Sequence, residues 1–566
     1  MNRKGIALVA TLALMVVIAL LVFGTFFTTQ IELWTTRNDT TSVQAFYAAE
    51  AGLQKYKAAL FQQYVWREQQ GGTGGGSGCF TSLVTGLDLY RNGTIMPFAN
   101  NQLVLAQDEV VTDANGNPVG RYTVTLYKDA QDGQLFTLVS EGTSGGAKAR
   151  VQATFRISNS DYLEQAIFAG AGQANRWLNG GATIRGGVYV VGSPNDPDQY
   201  VIEANGNFAL YNWYDLTTYS EVTNRVEPSY RQVQDLCASL RVQYGKISVG
   251  GSTQIGEPNN KVKGVFVGRG AQDITGENVG VCQNNKGVCT EAMGGFDLSD
   301  PPPFPTLDAK LDSDACSAYP TWRACLQGKA ALRIQRIGNV LSLANPPDAN
   351  LSSSCLQAML SGTLTLDTQS VDCTFTRLDG SRGGFRYTYT GDKKSGQGLL
   401  EVFGDVVLEG IDVVLNRPVE YRAQSGSTKS ATLAVLKLNG KGGNLGINGN
   451  LLPDATFGLF PNHTLGLVAE GDIYQRGQYV MAPLYAGGTF RVVKDNVLFG
   501  SLISNEFCTT SAGQGQGNGQ EQEQKCEAGQ KAEVVYIRIP KENRPVLLPS
   551  LRGGKPVFQV LSYERR

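Results

Sequence analysis

The side chains able to do chemistry are few. One histidine, His463, occurs in 566 residues, so Ser-His, Cys-His and multi-histidine metal sites are absent or rest on that ring alone. It stands in Leu459-Phe460-Pro461-Asn462-His463-Thr464, a loop before a strand, where a surface or capping role is expected rather than catalysis. Gly142-Thr143-Ser144-Gly145-Gly146 has the spacing of a nucleophile elbow, but that device needs a helix after it, and a strand-forming run follows here. It reads as a turn. Asp113 to Asn117 and Asp129 to Gly133 are rich in oxygen ligands, yet lack the alternation and distal glutamate of a calcium loop, so hairpin turns are expected. The chain is expected to hold no catalytic residue, no metal and no cofactor.

Binding chemistry is better represented. The 49 basic and 50 acidic side chains nearly cancel, so any polyanion must be met by a local patch. Two stretches qualify. Arg417, Arg422, Lys429, Lys437 and Lys441 face a single acid, Glu420, and a C-terminal run contains Arg538, Lys541 and Arg544. Clustered cations neutralise phosphates without reading bases, which makes both stretches candidate contacts for double-stranded DNA. Tyr211, Trp213 and Tyr214 form an aromatic group able to stack on bases or sugars. The alternatives are a solvated face for the cations and core packing for the rings.

Ten cysteines in a chain with an export signal favour disulfides over zinc. The local pairs are Cys282–Cys289, Cys316–Cys325, Cys355–Cys373 and Cys508–Cys526, leaving Cys79 with Cys237, though ten cysteines allow many other pairings.

The element that must position all this is N-terminal. Ile6 to Phe27 is an uncharged apolar run, long enough to cross a bilayer as a helix, with Arg3 and Lys4 before it to hold that end cytoplasmic. No small-x-small site follows the run, and Gly5 is the one small residue well placed for processing. From Gln30 to Gln70 the larger apolar side chains recur at Phe46, Leu53, Tyr56, Leu60 and Tyr64, one face of an amphipathic helix. The spacing predicts one continuous helix over residues 6–70, about 90 Å long at 1.5 Å per residue, ending in the glycine run after Gln70.

In Lys4-Gly5 ahead of that helix, and in Gln44-Ala45-Phe46-Tyr47-Ala48-Ala49-Glu50-Ala51-Gly52-Leu53, the chain resembles the type IV pilins, specifically the PilX-type minor pilins. The resemblance implies a leader over residues 1–5, cleavage between Gly5 and Ile6 by a prepilin peptidase, and methylation of Ile6. It also implies a single inner-membrane span before assembly, with the head outside the cytoplasm, then polymerisation with major and minor pilins through the apolar helices. Major pilins carry Glu at the fifth mature position, and this chain has Ala10. In the family picture that carboxylate neutralises a neighbour's N-terminal ammonium. An unpaired buried ammonium is costly, so a place at the filament tip is expected.

Beyond the helix the signals are β. Arg121 to Tyr127, Leu135 to Ser140 and Ala147 to Ile157 are strands with tight turns, giving a pilin head over residues 71–159. Residues 160–530 alternate short β-branched runs with Gly and Asn corners, as in Gly180 to Gly192 and Leu399 to Leu415. That texture suits a β-solenoid, with a β-sandwich or two small β-domains as alternatives. Ala309 to Lys329 reads as a disulfide-tied helical excursion, and Gly513 to Lys525 as a loop. Residues 531–566 hold two strands that either complete the pilin sheet or cap the solenoid. The fold expected is an α+β pilin, a long helix on a small antiparallel sheet, with a large all-β insertion. Taken whole, the chain resembles the large competence minor pilins, which implies DNA capture at a pilus tip during natural transformation. The alternatives are a tip adhesin for surfaces or glycans and the tip subunit of a secretion pseudopilus.

Overall fold

The structure, a computed structural model, describes residues 3–69, 90–91, 94–95, 100–129, 135–157, 162–173, 182–204, 206–268, 271–291, 293–294, 303–311, 313, 315–347, 349–377, 379–393, 395–493, 495–510, 532–549 and 558–565. It contains a long N-terminal helix, a small antiparallel sheet and a large β-rich region. Two compact units result: residues 1–62, 97–157 and 558–566 form one, and residues 63–96 and 158–557 the other.

In the smaller unit, helix α1 spans Arg3–Gln69. Its first half is apolar all round and exposed, and it alone among the described residues is long and apolar enough to cross a membrane. Farther along, the expected face buries Ala45, Ala48, Ala49, Leu53, Tyr56 and Leu60. They meet a sheet of five antiparallel strands: β1 (Gln102–Thr112), β2 (Pro118–Lys128), β3 (Leu135–Ser144), β4 (Ala147–Ile157) and β5 (Phe558–Arg565), paired in that order. Val124, Leu126, Phe136 and Leu138 supply the sheet's buried side. Small residues let the two layers touch. A Cβ on Gly142 of β3 would stand 2.1 Å from the Ala45 carbonyl oxygen and 2.4 Å from the Ala49 nitrogen. A Cβ on Gly52 of α1 would stand 2.6 Å from Ser140 Oγ.

The chain leaves this sheet after β4 and returns in β5, which pairs directly with β4. Everything between is inserted, and within it most strands pair in parallel across three ladders. Chain order and spatial order differ. The first strand, Ile167–Ala169, pairs with both the next, Val188–Val190, and the late strand Leu502–Thr510. From this midpoint the chain advances through Ser239–Val242 and Gly264–Val267 to Met293–Gly294. It then restarts at the opposite end with Leu332–Ile337 and works back through Val406–Glu409, Ser430–Leu436, Thr464–Ala469 and Leu484–Val493. A second ladder repeats the order, with Ala532–Val535 seated between Asn496–Phe499 and Thr183–Arg185. Entry and exit are therefore neighbours in mid-stack, which a segment spliced between two adjacent strands requires.

The interior is filled by Leu, Ile and Val from all three ladders. Outside, two ladders are covered. An excursion over residues 212–236 buries Tyr214, Leu216, Val222, Val226 and Val233 against Leu452, Met481, Phe499 and Val535. Another, at 304–326, lays Leu307, Leu311, Trp322 and Leu326 over Phe168, Val407, Val468 and Tyr485. The Trp322 indole N–H donates to the Leu547 carbonyl at 2.9 Å, and the ring meets Tyr485 edge-on at 4.6 Å. The helical part of this second excursion is Trp322–Lys329, capped by Thr321 and tied by Cys316–Cys325. Cys282–Cys289 and Cys355–Cys373 are also formed. Cys237 and Cys508 are disulfide-bonded, while Cys79 and Cys526 lie outside the described residues, as does the loop from Gly513 to Lys525.

One boundary is corrected. The tail 531–566 is not one piece: Ala532–Val535 sits inside the stack, and Phe558–Arg565 completes the small sheet.

Candidate functional site

The first basic stretch is largely spent on acids that are distant in sequence. Arg417 Nε reaches Asp367 at 2.6 Å, and Arg422 Nε reaches Asp454 at 2.6 Å. Parallel pairing places Arg422 opposite Glu401, which lies opposite Arg386, so a row of alternating charge crosses the sheet. Lys429 donates to the Phe457 carbonyl at 2.6 Å and lies 5.1 Å from that ring's centre. Lys437 and Lys441 differ. Both are exposed, on the turn after Ser430–Leu436, and neither has an ion pair among the described residues. The turn is pinned from below, because the Lys437 backbone N–H donates to Glu470 at 2.7 Å.

The second stretch divides the same way. Arg538 is exposed with no ion pair among the described residues, and Lys541 is exposed. Arg544 is withdrawn: only 9% of its side chain is exposed, it donates to the Ile539 carbonyl at 3.1 Å, and it faces Glu164 at 3.9 Å. Three strand steps of about 4.8 Å, some 14 Å along the stack, separate the strand before Lys437 from the one paired to Ile167–Ala169, beside the entry strands.

The aromatic group is not a displayed platform. Tyr214 is 1% exposed, its hydroxyl donating to the Tyr230 carbonyl at 2.9 Å, and it belongs to the core under the first excursion. It is withdrawn as a contact residue. Tyr211 and Trp213 are half-buried and both pack on the Arg185 guanidinium, at 5.0 and 4.9 Å. That guanidinium is neutralised by Glu533 at 2.6 Å, and the Trp213 indole N–H donates to Glu257 at 2.7 Å.

His463 is buried, which excludes the surface role of the two its loop suggested, surface or capping. Its Nε2 accepts the Ala423 N–H at 2.9 Å, so Nδ1 carries the hydrogen and donates to the Gly458 carbonyl at 3.2 Å. Burial pushes its pKa down to about 4. The ring is a neutral strut for the corner that carries Arg422 and Lys429. Ser144 ends β3 where the chain turns into β4, and its hydroxyl donates across to the Val119 carbonyl of β2 at 2.8 Å. Asp113 accepts the Asn115 and Asn117 N–H groups at 2.9 and 2.8 Å and closes a hairpin. No metal-binding cluster of His, Cys, Asp or Glu occurs among the described residues.

A long apolar helix whose outer half packs on a small antiparallel sheet, with a large domain spliced into that sheet, defines a pilin with an enlarged head. The chain belongs to the competence-associated pilins: it is similar to the crystal structure of the competence-associated pilin ComZ from Thermus thermophilus, at 87% identity over 93% of this chain and 97% of that one, with a TM-score of 0.70. No protein-family model and no curated protein matches the chain.

Proposed function

We propose that the chain is a non-enzymatic minor pilin, at or near the tip of a type IV pilus, whose inserted domain binds extracellular double-stranded DNA for natural transformation. The observation carrying the reading is its likeness to a competence pilin combined with Lys437, Lys441 and Arg538, which are exposed and have no ion pair among the described residues. Parallel pairing of each turn on the next supports reading the insertion as a β-solenoid. A rigid stack suits the task, because it fixes its cations without base readout. Prepilin peptidase cuts between Gly5 and Ile6, Ile6 is methylated, and the apolar half of α1 holds the protein in the inner membrane before joining other pilins. Ala10 in place of the family's glutamate favours the tip. In cells lacking the gene, the wild-type chain should restore transformation. The K437E/K441E/R538E chain should assemble and label filament ends but transform at least tenfold less. Equal transformation by both chains would refute the DNA role.

A further inference from the structure

The third ladder keeps exposed side chains where the other two carry covers. Strands Thr363–Leu366, Asp412–Leu415, Leu445–Ile447, Ile473–Gln475 and Leu484–Val493 lie side by side in parallel. Their outward positions align in one row: Thr365, Val414, Gly446, Tyr474 and Arg491. At about 4.8 Å per strand the row is some 19 Å long. Thr365 is exposed and Tyr474 is 36% exposed, with Val414 and Gly446 half-buried between them. Gly446 makes a dip. A Cβ there would meet Val414 first, at 3.5 Å, an ordinary contact distance, and the backbone is not in the left-handed region. Nothing in the packing demands glycine, so the open space is what its absent side chain provides.

Amides and carboxylates border the dip. On one side Asp412, Asn444 and Asp472 form a ladder, each side-chain oxygen accepting a backbone N–H from the next strand at 2.8–2.9 Å. On the other, the Asn448 amide donates to Asn416, which donates to Asp367, both at 3.1 Å. The Tyr474 hydroxyl donates to Asp472 at 3.1 Å. Charge decides the ligand class. Asp367, Asp412 and Asp472 balance Arg417, Arg476 and Arg491, with Arg417 on Asp367 at 2.6 Å and Arg491 facing Asp472 at 3.9 Å. A neutral strip offers a polyphosphate no net attraction. An aromatic ring beside rows of amides and carboxylates instead matches an uncharged chain that alternates apolar ring faces with hydroxyls.

We propose that this face binds a neutral polysaccharide strand lying across the five strands, over the Gly446 dip and against Tyr474. The inference does not depend on DNA binding by the exposed lysines. The test is affinity electrophoresis of the full-length chain in detergent, through gels containing dextran, laminarin or hydroxyethyl cellulose. The wild type should be retarded by at least one of them. Y474A should weaken that retention about tenfold, and G446L, which fills the dip, should remove it. Both variants should keep the wild-type unfolding temperature and duplex-DNA affinity. Migration unaffected by all three polysaccharides would overturn the proposal, as would retention that survives Y474A. Loss of DNA binding in Y474A would also overturn it, making nucleic acid the occupant.

Discussion

The two units bury their sheets by opposite means. The small sheet leans on a single helix, and its contact depends on residues too small to keep the layers apart: Ala45, Ala49 and Gly52 on α1, and Gly142 on β3. The stack packs apolar side chains of its ladders against one another and carries outer covers, one of them fixed by Trp322. One layer contact is therefore critical in the head, whereas the stack spreads its burial over many equivalent steps. Their failures should be separable.

The largest separation is expected from Trp322→Ala, which removes a fully buried ring and leaves its indole partner, the Leu547 carbonyl, unsatisfied. A loss of about 3–5 kcal/mol should appear in the stack's unfolding transition alone. Gly142→Ala should do the converse. Its Cβ collides with helix backbone, and roughly 3 kcal/mol should be lost from the head transition with the stack unmoved. Calorimetry of the full chain reads both, and a variant that shifts both transitions equally would erase the distinction. A smaller effect concerns pH. His463 titrates at about 4 when folded, against 6.5 ordinarily, so the unfolded chain takes up its proton first. Its contribution is complete above about pH 6.5 and declines as pH falls toward 4. The stack's urea midpoint should drop between pH 6.5 and 5, and less steeply in His463→Gln; an equal drop in both would exclude His463 as the cause.

Legibility in the sequence followed the range of the contacts. The helix was readable because its pattern is local: Leu53, Tyr56 and Leu60 set its buried face within eight residues. Short strands were readable from Gly-bounded β-branched runs such as Gly264–Val267. Stack order was not, since pairing Leu502–Thr510 with Ile167–Ala169 joins residues more than 300 positions apart. The same distance hid which cations are spent. Asp367 and Asp454 neutralise Arg417 and Arg422 from 50 and 32 positions away, so a charge count over residues 417–441 overstated the patch. Tyr474 was not legible because its neighbours on the row, Gly446 and Arg491, come from other strands.

The comparison of spent and exposed cations leads to the most direct test. Duplex-DNA affinity of the full-length chain should be measured against salt for the wild type, K437E/K441E and the control R417Q, which removes a cation already paired with Asp367. The wild-type affinity should fall log-linearly with salt, and K437E/K441E should bind more weakly with a slope shallower by about two, from roughly 0.9 per lost phosphate contact, while R417Q stays near the wild type. Salt-insensitive binding, or an unchanged slope in K437E/K441E, would contradict the account.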